Sequence, residues 1–202
     1  MPRAPGLITS RKSRCRSRLP ELAHEVTQVL NHDDGSFRIN LGDMTQTLQT
    51  QLAANKRLKI YKSSPELLDA MMALSAAAAK DLDPELGELI KIRASQINHC
   101  AFCLDMHVRD ARKHGVSEQK LDVLAAWEEA GGLFSERERA ALALTEAITE
   151  LGDGHVSDQV YARAAAVFTE RELAQVIAMA VTINAWNRIN VTARLEPRAS
   201  LK

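Results

Sequence analysis

The sequence has little glycine, proline or aromatic content: 9 Gly, 6 Pro and only 8 Phe, Tyr and Trp together among 202 residues. Alanine is abundant at 30 residues, and it has the highest helix propensity, whereas sheets favour β-branched and aromatic side chains. An all-α fold is therefore predicted. The longest apolar run has six residues, 176–181. A membrane-spanning helix needs roughly 18, so a helical membrane protein is excluded.

The chain also lacks a net charge, since 26 Lys and Arg balance 26 Asp and Glu. It therefore has no overall attraction to nucleic acid or to an anionic membrane, and no such partner is expected. Three cysteines are too few for the disulfide framework of a small secreted domain, and 202 residues can bury a core without one. We expect a reducing, cytoplasmic location, in which closely spaced thiols carry out chemistry or hold a metal.

The first 18 residues carry six basic side chains, no acidic one and no apolar stretch that could serve as the core of a secretory signal. Residues 31–42 are rich in turn-forming side chains, and the helix start signals lie after them. We predict a basic, disordered leader over residues 1–43 and a folded domain over residues 44–202, with Met44 as a candidate native start. Cys15, in the leader, has no partner nearby in the sequence.

Helix start signals recur along the predicted domain as capping side chains placed before a proline, as capping boxes, and as the capping serines Ser117 and Ser157. They predict helices beginning near residues 65, 84, 118, 136, 158 and 170, and a further helix carries residues 100–113. Because the connections are short, we expect a compact bundle of about six or seven helices. The last helix, over 173–195, is apolar on almost every face. It is predicted to lie either in the centre of the core or at a subunit interface.

The residues that carry chemistry lie between positions 88 and 107. Cys100 and Cys103 are three residues apart, close enough to form a small disulfide ring, and a helix N-terminus at this point would favour their thiolates. His107 follows Cys103 by one helical turn, so its imidazole can accept the thiol proton. Glu88 lies on the preceding helix. If a tight turn folds the two helices together, its carboxylate can orient His107 or relay a proton.

Two other uses of these four residues stay open. They could form a mixed zinc site, although the chain has neither a second Cys pair nor a His pair at zinc-ligand spacing. The two thiols could also be inert core residues. We favour redox chemistry without a metal or organic cofactor, since the sequence has no Gly-x-Gly-x-x-Gly and no phosphate loop. His114, just before Gly115, is expected at a helix C-terminus, where the dipole favours a cation.

This stretch closely resembles the AhpD-like alkylhydroperoxidases of the carboxymuconolactone decarboxylase superfamily. The resemblance covers about residues 55–195, and its motifs are Glu88, Ser95-Gln-Ile-Asn98-His-Cys100-Ala-Phe-Cys103-Leu-Asp-Met-His107, Asp110-Ala-Arg112 and Ala185-Trp-Asn187-Arg188. It implies an all-helical domain that assembles as a homo-trimer or homo-hexamer.

The resemblance also implies roles for the site residues. In this family the second cysteine attacks the peroxide and becomes a sulfenic acid, which the first converts to a disulfide. Cys103 would thus be peroxidatic and Cys100 resolving, with Glu88 and His107 as the proton relay. Electrons would come from an external thiol donor: a lipoyl group, a thioredoxin-like protein or a peroxiredoxin. The best-studied members have a histidine between the two cysteines, where this chain has Phe102.

Two other functions are compatible with these observations. A carboxymuconolactone decarboxylase or a related lactone-processing enzyme works without a cysteine pair. A thiol sensor or partner-binding module would use the same pair to report oxidation without turnover. The presence of the pair favours a thiol-dependent peroxidase that reduces hydroperoxides.

Overall fold

The structure, a computed structural model, describes Gln46 and residues 57–197. Within 57–197 it contains eight α-helices and no strand, which confirms the all-α prediction. The predicted leader over 1–43, the boundary at Met44 and Cys15 lie outside the described residues and stay predictions. Among the described helices, none combines the length and the apolar character needed to cross a bilayer.

The eight helices are α1 (Ile60–Ser63), α2 (Pro65–Ala79), α3 (Pro84–Ile97), α4 (Ala101–His114), α5 (Glu118–Val123), α6 (Glu136–Glu150), α7 (Asp158–Val167) and α8 (Glu170–Ala193). Two short 3₁₀ helices, Leu124–Glu129 and Gly131–Leu133, connect α5 to α6. The seven helices from α2 to α8 begin within a residue of the positions predicted from the sequence. The short α1 and the 3₁₀ helices were not predicted, since they lack capping signals of their own.

The helix starts follow from local side-chain chemistry. Ser135 and Thr169 each close a capping box, in which the hydroxyl accepts the backbone N–H three residues on and the glutamate there accepts the N–H of the cap. Pro65 and Pro84 occupy first helical positions, where a missing N–H costs no hydrogen bond. Gly115 ends α4 at φ 100°, a conformation that glycine adopts without a Cβ clash.

Helix α3 lies at the centre of the fold, packed against α4, α6 and α8. Leu86 and Ile90 join one core cluster, to which α2, α6, α7 and α8 also contribute. Leu89 and Ile92 join a second cluster, with residues from α4, α6 and the 3₁₀ connection. Because α3 is held on both sides, the position of Glu88, which is 4% exposed on this helix, is fixed by the core.

The long helix α8 is buried on one face only. That face carries three buried amides, Asn184, Asn187 and Asn190, besides apolar side chains. Val181 and Val191, in contrast, are 50% and 45% exposed in the single chain. The central-core interpretation of this helix therefore holds for one face, and a subunit contact for the other stays a prediction.

Candidate active site

The cysteine pair lies where a helix, α4, begins. Cys100 is the N-cap residue, and its Sγ accepts the backbone N–H of Cys103 at 3.4 Å. The backbone N–H of Cys100 donates to the Ser95 carbonyl at 3.0 Å, which holds the preceding turn. The two cysteines are disulfide-bonded, with Cα atoms 5.3 Å apart. Both are buried, at 1% and 0% exposure, so the disulfide belongs to the core.

His107 and Glu88 form a buried pair, and His107 lies one helical turn after Cys103 on α4. Nδ1 of His107 lies 3.1 Å from Oε2 of Glu88, so the predicted return of α3 onto α4 is present. The other carboxylate oxygen accepts a hydrogen bond from Lys91 Nζ at 2.6 Å. Burial alone would raise the pKa of Glu88, but the hydrogen bonds from His107 and Lys91 outweigh it and the pKa is lowered. Glu88 is therefore ionised at neutral pH.

The ionised carboxylate decides which imidazole nitrogen can act as a base. A carboxylate only accepts hydrogen bonds, so the Nδ1 of His107 that faces Glu88 must carry a proton. In the neutral ring, Nε2 is then the unprotonated nitrogen. The pair thus presents a base at Nε2 and stabilises the imidazolium that forms when this base takes a proton.

Two further ionisable side chains, His114 and Asp110, lie close to the Glu88–His107 pair. His114, the last residue of α4 as predicted, places Nε2 4.0 Å from Oε1 of Glu88, a contact that its sequence position did not indicate. Asp110 accepts a hydrogen bond from Lys113 at 2.6 Å, and this bond lowers the pKa of Asp110 against the opposing effect of burial.

Ligand atoms of Glu88, His107 and Asp110 lie within 4.8 Å of one another. This set differs from the zinc ligands considered from the sequence, which included both cysteines. In the disulfide neither sulfur is a thiolate ligand.

Two residues that were not predicted from the sequence form a short chain of hydrogen bonds that ends at the cysteine pair. Nδ2 of Asn190 donates to Cys103 Sγ at 3.5 Å, and the Tyr61 hydroxyl donates to Asn190 Oδ1 at 2.6 Å. One signal was present: asparagines recur at positions 184, 187 and 190 of a helix whose central part is mostly apolar, which places them on one face. Nothing comparable marks Tyr61.

A buried amide network fixes the turn that leads into the cysteines. Nδ2 of Asn98, the C-cap residue of α3, donates to Oδ1 of Asn184 at 2.8 Å and to Oδ1 of Asn187 at 3.0 Å. Asn187 in turn donates to the Ser95 hydroxyl at 3.0 Å. Since Asn187 and Ser95 are both 0% exposed, water cannot replace these bonds. The network ties the end of α3, and with it the cysteine turn, to α8.

Replacing Asn187 by alanine should lower the free energy of unfolding by about 1–3 kcal/mol, because Asn98 and Ser95 each lose a buried partner. Urea denaturation followed by circular dichroism measures this change. Gln159→Ala, at an exposed position on α7, is the control and should stay within about 0.5 kcal/mol of the unmodified protein. An unchanged urea midpoint for Asn187→Ala would contradict the role given to the network.

Comparison with known proteins agrees with this architecture. The model of the carboxymuconolactone decarboxylase family matches residues 65–147. YdfG, an uncharacterized protein of Bacillus subtilis, is 38% identical over 138 residues, which cover 68% of this chain and 93% of that protein. A solved Agrobacterium tumefaciens protein of unknown function, which bears the name of the antioxidant defence protein AhpD, is 36% identical. It superposes with a TM-score of 0.68 over 72% of this chain and 99% of its own.

A third likeness concerns the fold alone. The AhpD core of an uncharacterized peroxidase-related protein from Ralstonia eutropha has a TM-score of 0.60 at 19% identity, over 69% of this chain and 75% of that one. The family match and the two more similar relatives, together with the all-helical fold, indicate the same family. The chain is an AhpD-like member of the carboxymuconolactone decarboxylase family.

Proposed function

We propose that this protein is a thiol-dependent peroxidase of the reducing cytoplasm, which reduces hydroperoxides through the Cys100–Cys103 pair. One observation carries the proposal: a disulfide at a helix N-terminus lies one turn from a buried carboxylate–imidazole pair. A thiol nucleophile needs a base to ionise it, and the leaving oxygen of a peroxide needs an acid. His107, supported by Glu88, can serve as both.

The first half of the reaction follows from this arrangement. In the reduced protein, Nε2 of His107 takes the Cys103 thiol proton, and the Glu88 carboxylate stabilises the resulting imidazolium through Nδ1–H. The thiolate attacks the terminal oxygen of the hydroperoxide, forming an S–O bond as the O–O bond breaks. The imidazolium returns its proton to the leaving alkoxide. The products are an alcohol and a Cys103 sulfenic acid.

The second half regenerates the thiols. The Cys100 thiol attacks the sulfenic sulfur, water leaves, and the disulfide described above forms. An external dithiol then reduces it by exchange and is itself oxidised to a disulfide. Lipoyl groups, thioredoxin-like proteins and peroxiredoxins offer suitable thiols. The cycle needs no resident metal or organic cofactor.

Peroxide consumption by the purified protein tests the proposal. With cumene hydroperoxide and dihydrolipoamide we expect many turnovers per chain. Oxidation that occurs once and then stalls with every dithiol would support a sensor instead. Decarboxylation of carboxymuconolactone with no peroxide turnover would support the lactone-processing alternative.

We also propose that the chain assembles as a homo-trimer or homo-hexamer. Large apolar side chains are exposed on α2 and α8, among them Met72, Leu74 and Val181 at 58%, 42% and 50% exposure. Such surface is unfavourable in water unless a second subunit covers it.

Light scattering should therefore give three or six times the 22.3 kDa mass of one chain. The double variant Met72→Glu/Leu74→Glu should give smaller species, because it places charge in the proposed contact. Tyr161→Glu, which places a charge at an exposed position of α7, serves as the control and should keep the mass of the unmodified protein. A monomeric unmodified protein would rule out the assembly.

A further inference from the structure

The amide of Asn190 touches one of the two sulfurs, and the proposed mechanism above does not use it. Asn190 is 4% exposed on α8, and its Nδ2 donates to Cys103 Sγ at 3.5 Å. The amide therefore contacts the atom that would attack the peroxide. A donor at this sulfur interacts more strongly with a thiolate than with a thiol or a disulfide, because hydrogen bonds to ionised acceptors are roughly twice as strong.

Tyr61 fixes which end of the amide faces the sulfur. Its hydroxyl donates to Oδ1 of Asn190 at 2.6 Å. Burial raises the pKa of Tyr61, so the hydroxyl keeps its proton at neutral pH. With that hydrogen directed at Oδ1, the NH₂ end of the amide points to Cys103. Tyr61 thus acts on the sulfur through Asn190.

The short helix α1, which carries Tyr61, is itself held against α8. The Arg57 guanidinium, just before α1, donates to the Thr192 carbonyl at 2.9 Å. The Tyr61 ring packs against Trp186 at a centroid separation of 5.7 Å. The Trp186 indole N–H donates to the Ser75 hydroxyl of α2 at 2.8 Å, which fixes the ring. Both contacts of Trp186 are packing contacts that hold α1 and α2 against α8.

We propose that Asn190 is a catalytic residue of the thiol reaction, stabilising negative charge on the Cys103 sulfur, and that Tyr61 is its positioning residue. The place of Asn190 in a reaction rests on the proposed function. Charge develops on this sulfur when the thiol gives its proton to His107. It develops again when a donor thiolate bonds to Cys100 Sγ, because the S–S bond breaks and its electron pair goes to Cys103.

The ionisable groups of the Glu88–His107 cluster and of the Asn190 contact come from three helices. His107, Asp110 and His114 lie on α4, Glu88 and its partner Lys91 lie on α3, and Tyr61 lies on α1. The side chain of α8 that reaches the sulfur is the neutral amide. Asn190 therefore stabilises the thiolate without titrating, and its effect is separable from that of the Glu88–His107 pair.

The test is a thiol titration that does not depend on peroxidase activity. In the Cys15→Ser/Cys100→Ser background, Cys103 is the remaining thiol, and its ionisation is followed by ultraviolet thiolate absorbance and by the rate of alkylation against pH. Asn190→Ala should lower the acid dissociation constant of Cys103 by about three- to tenfold. Tyr61→Phe should lower it by about two- to threefold, because the amide is then free to turn.

Two controls separate a direct effect from a structural one. Asn190→Gln keeps a donor and should restore part of the acidity, whereas Tyr161→Phe, at an exposed tyrosine, should change nothing. An unchanged dissociation constant in folded Asn190→Ala would overturn the proposal. If that variant does not fold, an unchanged constant in Tyr61→Phe would overturn it. The unmodified protein could also fail to turn over peroxide while Asn190→Ala still lowers the acid dissociation constant of Cys103 as predicted. That result would remove the proposed function and leave the Asn190–thiolate contact intact.

Discussion

Cys103→Ser should abolish peroxide turnover with every thiol donor. A serine hydroxyl does not ionise near neutral pH and cannot pass through a sulfenic acid or a disulfide, so both halves of the cycle are lost. We expect kcat/KM to fall by on the order of 10⁴-fold or more, to the background rate. Initial rates of hydroperoxide loss, measured with excess dithiol, are the readout.

Variants of the other two cysteines are the matched comparisons. Cys100→Ser should still react once with peroxide and then retain a sulfenic acid, which dimedone traps, because the resolving thiol is missing. Cys15→Ser should keep full activity, since Cys15 has no place in the proposed cycle. Unmodified rates in Cys103→Ser would refute the peroxidase proposal outright.

Glu88→Gln should slow turnover by about 10²-fold or more with little change in fold. Glutamine keeps an oxygen that accepts the Nδ1–H of His107, but it removes the negative charge that stabilises the imidazolium. His107→Gln should have an effect of the same order because it removes the base. Single-turnover oxidation of the reduced protein isolates this step from reduction by the donor.

The control for this charge removal is Glu150→Gln, at an exposed position ending α6, which should leave the rate unchanged. Thermal unfolding of each variant shows whether a slow protein is also a damaged one. Full speed in a folded Glu88→Gln protein would remove the carboxylate from the mechanism.

The sequence was sufficient wherever the determining interactions are local. Capping boxes, capping serines and N-terminal prolines act within four residues, so the starts of α2, α3 and α5 to α8 could be located without coordinates. The Glu88–His107 contact was also within reach, because only a short turn separates α3 from α4. Once both helices were predicted, their antiparallel packing was the simplest way to close that turn.

Contacts between distant parts of the chain were not predictable in the same way. Asn190 is 87 residues from Cys103, and Tyr61 is 129 residues from Asn190. No capping rule or spacing connects such positions. The apolar pattern of α8 likewise predicted burial but could not show which face the core would take, since that depends on where α3 and α6 lie.

The enclosure of both sulfurs sets different conditions for the two reactants of the proposed cycle. A small hydroperoxide can reach an enclosed thiol through the fluctuations of a few side chains. A protein donor must bring its own thiolate into line with the S–S bond, and a disulfide with 1% and 0% exposure offers no such approach. We therefore expect reduction by a protein donor to require a local opening of the first turn of α4, which carries the pair. The rate at which a protein donor reduces the disulfide would then be set by how often this helical turn opens rather than by the acidity of any thiol.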